Sequence, residues 1–128
     1  MKLIIAGSRT LKIGTSLIDA LFSVMNLNGK VSEIVSGTAP GVDTVGDDYA
    51  KLAVNYPMKL KEFPADWDKY GKSAGPIRNK QMAEYADALL LIWDGASRGS
   101  DSMKREMEKL YKPIYEIIIK SPYGKKED

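Results

Sequence analysis

The chain has 128 residues, 44% of them hydrophobic and 28% charged, a composition typical of one globular domain. It contains no cysteine and no histidine, which excludes disulfides, thiolate or imidazole metal sites and Ser-His-Asp catalysis. A formal net charge of +2 predicts no field strong enough by itself to attract nucleic acid. Neither a membrane-spanning run nor a leader pattern is present, so we expect a cytoplasmic protein with no membrane partner.

Short apolar runs alternate with stretches of helical spacing along the whole chain. In chain order, the pattern predicts strand 2–8, helix 17–25, strand 33–37, helix 42–53, strand 59–64, helix 76–86, strand 88–93, helix 100–110 and strand 113–119. Pro76 is suited to the first turn of its helix, and Ser100 or Asp101 is suited to the N-cap of the last helix. The alternation predicts an α/β fold, with one parallel five-stranded sheet covered by helices on both faces.

One domain is therefore expected over residues 1–120, and residues 121–128 are expected to form a polar tail that frays. In a parallel sheet, ligands bind beyond the carboxyl ends of the strands. Four loops are predicted at that edge: 7–15, 36–43, 64–79 and 94–101.

Arginines are concentrated in these loops. Only four occur in the chain, and Arg9, Arg78 and Arg98 lie in or beside the predicted ligand edge. The planar guanidinium suits bidentate recognition of phosphate or carboxylate, so we predict an anion-binding site. For each arginine taken alone, a cap on a strand end or a pair with a nearby aspartate is the alternative.

Two loops join a strand to a helix through glycines and hydroxyl residues. In residues 37–43, backbone N–H groups near Gly37 and Gly41 can approach a phosphate, and Thr38 adds a hydroxyl. Asp43 would either accept a hydrogen bond from a ribose or simply favour the helix dipole. Residues 94–100 repeat the arrangement, although the glycines of either loop are also ordinary turn residues.

The segment 63–79 is long for a connection in so small a domain, which is typical of a binding loop. Trp67 and Tyr70 could stack on a base. Equally, Trp67 could plug the loop onto the hydrophobic core.

Four of these segments together carry a family resemblance. Ala6-Gly7-Ser8-Arg9, Ser36–Asp43, residues 63–79 and Gly95–Ser100 resemble the YspA-like branch of the SLOG superfamily. The most specific part is the run A-D-W-D-K-Y-G-K-S-A-G-P-I-R-N-K at residues 65–80. The resemblance implies a Rossmann-like fold over residues 1–120 that binds a nucleotide derivative.

A more distant similarity is to the Lonely guy phosphoribohydrolases, which cleave the N-glycosidic bond of nucleoside monophosphates. Arg78 looks like the arginine of that group, and the glutamate of the group falls on Met103 here. A methionine cannot stabilise an oxocarbenium-like centre. If the chain is an enzyme, the similarity implies Arg78 and Asp94 as catalytic residues, with Asp43 or Asp101 as alternative carboxylates.

The leading hypothesis is a sensor or sponge for a phosphorylated nucleoside or an ADP-ribose-like ligand. The alternatives are a phosphoribohydrolase and a single-stranded nucleic-acid binder. The second is ranked lowest because the lysines are dispersed and acidic residues lie among the aromatic residues of segment 63–79. The predicted ligand-binding residues are Gly7, Ser8, Arg9, Gly37, Thr38, Gly41, Asp43, Trp67, Tyr70, Arg78, Asn79, Asp94, Gly95, Ser97, Arg98, Gly99 and Ser100.

The expected partners follow from the same hypothesis. We expect a nucleotide-derived small molecule and a homodimer or higher homo-oligomer, with Tyr111, Tyr115 or Tyr123 as candidate interface residues. We expect neither nucleic acid as a partner nor a cofactor or metal.

Overall fold

The computed structural model describes residues 1–120 as one parallel sheet with strand order β3-β2-β1-β4-β5. Its elements are β1 (Lys2–Gly7), α1 (Thr15–Val24), β2 (Glu33–Ser36), α2 (Val42–Leu52), β3 (Lys59–Glu62), α3 (Trp67–Tyr70), a 3-10 turn (Gly71–Ser73), α4 (Ala74–Tyr85), β4 (Ala88–Trp93), α5 (Arg98–Lys109) and β5 (Ile114–Ile118). All four strand pairings are parallel. The predicted α/β fold with a five-stranded parallel sheet is confirmed.

Helices cover both faces of the sheet because side chains alternate along the central strands. On β1, Leu3 and Ile5 pack with α1 and α2, whereas Ile4 and Ala6 pack with α4 and α5. The neighbouring strand β4 is buried along its whole length and supplies residues to both layers. This double burial explains why its sequence is an unbroken apolar run.

The strand order reverses next to β1, which has β2 on one side and β4 on the other. Crevices for ligands form at such reversal points, outside the carboxyl ends of the strands. Gly7 ends β1 there and pairs with Ile92, and a Cβ at residue 7 would overlap the carbonyl oxygen of Ile92. Glycine therefore lets β1 and β4 run close together up to the edge where the loops meet.

Several local predictions need correction. Helix α5 begins at Arg98 with Ser97 at its N-cap, so Ser100 and Asp101 lie inside the helix and neither caps it. Segment 63–79, expected as a loop, contains the short helix α3, which Asp66 caps by accepting a hydrogen bond from the Lys69 amide at 3.1 Å. Pro76 does lie in the first turn of α4.

Two expectations fall partly or wholly beyond the described residues. The polar tail 121–128 and Tyr123 lie outside them, so the domain boundary stays a prediction. Of the other candidate interface residues, Tyr111 is exposed and Tyr115 is half-buried. Within residues 1–120, no helix is both long and apolar enough to span a membrane.

Candidate functional site

A cavity of about 530 Å³ opens at the carboxyl edge of the sheet. All four loops predicted at this edge contribute to its wall. The predicted site residues that line it are Gly7, Arg9, Gly37, Thr38, Asp43, Trp67, Arg78, Asn79, Ser97, Arg98, Gly99 and Ser100. We call this cavity and its lining residues the cleft.

Five predicted site residues do not line the cleft: Ser8, Gly41, Tyr70, Asp94 and Gly95. Three of them shape the loops instead. The buried Ser8 hydroxyl lies 3.2 Å from the Ser97 hydroxyl and accepts a hydrogen bond from the Asp94 amide at 3.1 Å. One Asp94 carboxylate oxygen accepts from the amides of Ala96 and Ser97, at 2.8 and 2.9 Å. Gly41 has a φ of +81°, and a Cβ there would overlap the carbonyl oxygen of Arg9.

Sequence reasoning did not identify several other residues of the cleft. These are Ala6, Ala39, Pro40, Pro64, Ala65, Lys72, Gly75, Pro76, Met82, Ser102 and Met103. Met82 and Met103 also belong to the hydrophobic core, so their apolar spacing indicated only packing. Lys72 adds a fourth cation to the three predicted arginines, and its place within segment 63–79 was the only available signal.

Arg78 occupies a fixed position in the wall of the cleft. Arg78 is half-buried near the start of α4. Its Nη1 donates to the carbonyl oxygen of Gly37, and its Nε donates to Asn79 Oδ1 at 2.9 Å. No ion pair that the structure describes within residues 1–120 includes Arg78. A guanidinium has five N–H groups, and the hydrogen bonds to Gly37 and Asn79 use two of those of Arg78.

Asp43 is a carboxyl group inside this cationic cleft. It lies in the first turn of α2, is only 5% exposed, and its Oδ2 accepts a hydrogen bond from the Ala39 amide at 3.3 Å. Burial raises the pKa of Asp43 to about 7, while nearby Arg78 acts in the opposite direction. Near neutral pH the group is therefore only partly ionised, and it compensates the arginines incompletely.

Trp67 lies at the rim of the cleft. Its side chain is 53% exposed, and the edge of its ring lies 3.4 Å from the position that a Cβ of Gly75 would take. The indole thus contacts the start of α4 while more than half of it faces solvent. It does not plug the loop onto the hydrophobic core, one of the two roles considered for it.

The four positions considered for hydrolysis, Met103 and three aspartates, have different surroundings in the structure. Met103, at the position of the glutamate of the phosphoribohydrolases, is a buried core residue. Asp94 is part of its own turn, and Asp101 pairs with Arg105 at 2.7 Å. Only Asp43 lines the cleft. Residues 1–120 contain no cluster of three or more acidic side chains that could hold a metal ion.

Comparisons with known proteins find similarity to a phage protein in sequence and to a DNA-binding protein in structure. No protein-family model matches the chain. The gene 61 protein of Mycobacterium phage D29 is 32% identical over 118 residues, which cover 88% of this chain and 93% of the relative. DNA processing protein A from Helicobacter pylori, whose structure is described for its single-stranded DNA binding mode, matches with a TM-score of 0.65 and 19% identity. That match covers 95% of this chain and 67% of the neighbour, and it supports a Rossmann-like fold.

This neighbour contradicts the expectation that nucleic acid is not a partner, because a protein of the same fold binds single-stranded DNA. The expectation relied on the low net charge and on the dispersed lysines. Folding, however, brings four cations from distant parts of the chain to one cavity: Arg9, Lys72, Arg78 and Arg98. Local concentration of charge, rather than net charge, determines the field at a binding surface.

Proposed function

The chain belongs to the family of the gene 61 protein of Mycobacterium phage D29, and we propose that it binds single-stranded DNA by holding nucleotide phosphates in the cleft. The observation that carries this proposal is the guanidinium of Arg78, which is anchored by two hydrogen bonds in the cleft wall and is in none of the ion pairs of the described residues. The fold of a single-stranded DNA-binding neighbour supports it.

The phosphate would lie between the two glycine-rich loops. The helices α2 and α5 both begin at this edge, so their free N–H groups and dipoles favour an anion there. The exposed side chains of Arg9 and Arg98 form no ion pair with another residue of the described chain, and both line the cleft. Together with Arg78 they provide charge-assisted hydrogen bonds to phosphate oxygens.

Exposed aromatic rings beside the cleft would receive the bases. Trp67 is 53% and Tyr70 is 39% exposed, and the Lys69 ammonium lies 5.1 Å from the ring centroid of Tyr70. Aromatic rings interleaved with cations are the usual surface for single strands, where each stacked base contributes ~1–3 kcal/mol.

A free nucleotide is the second candidate ligand, and two observations favour it. At about 530 Å³, the cleft falls within the range of small-molecule sites, roughly 300–1,000 Å³. Asp43, which lines the cleft, would accept a hydrogen bond from a sugar hydroxyl, a group that internal DNA nucleotides lack. This candidate matches the sensor or sponge implied by the YspA-like resemblance, and membership of that branch is part of the proposal.

Fluorescence anisotropy with a labelled oligothymidylate tests the main proposal, with AMP and ADP-ribose as competitors. We expect salt-dependent binding of the oligonucleotide. Arg78→Ala should weaken binding at least ~10-fold, because a charged hydrogen-bond donor is lost. Arg105→Ala is the matched control, since Arg105 is exposed, pairs with Asp101 and does not line the cleft.

The two ligand classes give different results in this experiment. A thermal shift with AMP or ADP-ribose, together with no binding of the oligonucleotide, would favour the second candidate, and chromatography of that mixture would detect a free base if the protein is a phosphoribohydrolase. Equal affinity of the wild type and Arg78→Ala for every ligand would contradict both candidates.

A further inference from the structure

Asn79 connects Arg78 to the opposite side of the cleft. Its side chain is buried, with 6% of the residue exposed. Its Nδ2 donates to the Gly99 carbonyl oxygen at 3.4 Å and to Ser102 Oγ at 3.2 Å. Both acceptors lie in the first turns of α5. The carboxamide oxygen of Asn79 accepts from Arg78 Nε at 2.9 Å.

The orientation of this carboxamide follows from its partners. A guanidinium can only donate hydrogen bonds, so the oxygen of Asn79 must face Arg78. The Gly99 carbonyl oxygen can only accept, so the nitrogen must face α5. Flipping the amide would place donor against donor and acceptor against acceptor, which leaves one arrangement for the group.

Arg78 in turn donates to the carbonyl oxygen of Gly37, in the loop after β2. Gly37, Arg78, Asn79 and Gly99 thus form one continuous chain of hydrogen bonds. It spans from the loop after β2 to the start of α5, which follows β4, across the place where the strand order reverses. Hydrogen bonds therefore connect the two glycine-rich segments through the side chains of Arg78 and Asn79.

We propose that Asn79 is a positioning residue, which fixes the guanidinium of Arg78 and joins the two glycine-rich loops into a single phosphate site. The proposal rests on the proposed function for the identity of the ligand, but the fixed guanidinium can be measured without any ligand. An unrestrained arginine side chain would lose conformational freedom on binding, and Asn79 reduces that cost in advance.

Hydrogen exchange of arginine Nε–H groups tests the positioning directly. The chain has only four arginines, so a ¹⁵N spectrum of these groups is simple, and Arg78→Lys identifies the signal of Arg78. We expect this proton to exchange with water at least ~10-fold more slowly than those of Arg9 and Arg98, since it is hydrogen-bonded and shielded. In Asn79→Ala, which removes the acceptor of this proton, its exchange should become markedly faster than in the wild type.

An unprotected Arg78 Nε–H in the wild type, or unchanged protection in Asn79→Ala, would overturn the proposal. If Asn79→Ala does not fold, Ser102→Ala replaces it. That substitution removes one acceptor of the Asn79 amide at a helical position that suits alanine, and it should accelerate exchange partially.

Binding of labelled oligothymidylate provides the functional readout. Asn79→Ala should lower the affinity about tenfold and reduce the salt dependence by roughly 0.7 in log–log slope, the value for one lost contact to a single strand. In an Arg78→Ala background, Asn79→Ala should cause no further loss, because Asn79 acts through Arg78. An unchanged slope would assign Asn79 a purely structural role. If the wild type does not bind the oligonucleotide, the proposed function fails, while the exchange measurement still decides the role of Asn79.

Discussion

A single methyl group added at Gly37 should separate folding from binding. A Cβ at this position would lie 2.8 Å from Arg78 Nη1 and 2.9 Å from Asp43 Oδ2. The φ angle of Gly37 is not in the left-handed region, so its backbone accepts an alanine. The three atoms nearest to the new Cβ of Gly37→Ala therefore all belong to the side chains of Arg78 and Asp43.

The size of the effect follows from these distances. Ordinary contacts of a Cβ begin near 3.4 Å, so the guanidinium must retreat by at least the 0.6 Å that separates 2.8 from 3.4 Å. The end of an arginine side chain can move at little cost to folding, and after a shift of this size Arg78 still reaches the Gly37 carbonyl oxygen, but its guanidinium no longer lies where it would meet the phosphate. A charged hydrogen bond contributes about 1.5–3 kcal/mol, so the loss of one such bond from Arg78 to the phosphate predicts ~10–150-fold weaker binding. Stability should change by less than ~1 kcal/mol.

Urea unfolding and anisotropy with labelled oligothymidylate measure the two quantities on the same variant. Gly14→Ala serves as the control, since the nearest atom to its new Cβ is 3.7 Å away and Gly14 does not line the cleft. A folded Gly37→Ala protein with wild-type affinity would show that the position of Arg78 does not matter for binding. A large loss of stability would show that the guanidinium cannot move, contrary to the reasoning.

Three further predictions concern stability. The raised pKa of Asp43 means that the folded state holds the proton of this carboxyl more tightly than the unfolded state does. The free energy of unfolding should therefore fall as pH rises from 3.8 to about 7, and urea titrations should show that Asp43→Asn removes this dependence. Gly7→Ala should destabilise the fold by ~3 kcal/mol or more, because the added methyl overlaps the Ile92 carbonyl, and wild-type thermal unfolding would contradict this. Lys112 donates at 2.7 Å to two carbonyl oxygens at the end of α4, so Lys112→Met should cost ~1–3 kcal/mol in urea unfolding without changing oligonucleotide affinity.

The fold was predictable because its central strands, which are buried on both faces, have uninterrupted apolar sequences. The run 88–93 is apolar throughout since β4 is covered on both faces, and the run at 2–8 has the same cause. Segment 63–79 was harder, because α3 has four residues and no apolar periodicity. Its helix depends on the local cap from Asp66, a signal that also occurs in ordinary turns.

Much of the cleft was also predictable, since the carboxyl ends of parallel strands must meet at one edge. For Asp94 the loop was predictable but the contacts of the side chain were not: one carboxylate oxygen accepts hydrogen bonds inside its own turn, and a role towards a ligand stays a prediction. The partners of Asn79 lie 20 and 23 residues further along the chain, so spacing alone gave no reason to connect it with α5.

Electrostatics was the least predictable property, because it depends on burial. In the sequence, Asp43 counts as one full negative charge, and the chain sums to only +2. In the fold, desolvation raises the pKa of Asp43 to about 7, and four cations line the same cavity. Near neutral pH the cleft therefore keeps much of the positive charge that the net count cancels against acidic residues elsewhere. Net charge was the wrong quantity for judging whether a polyanion could bind, since a strand of DNA meets the field of one edge of the sheet and not the sum over the chain.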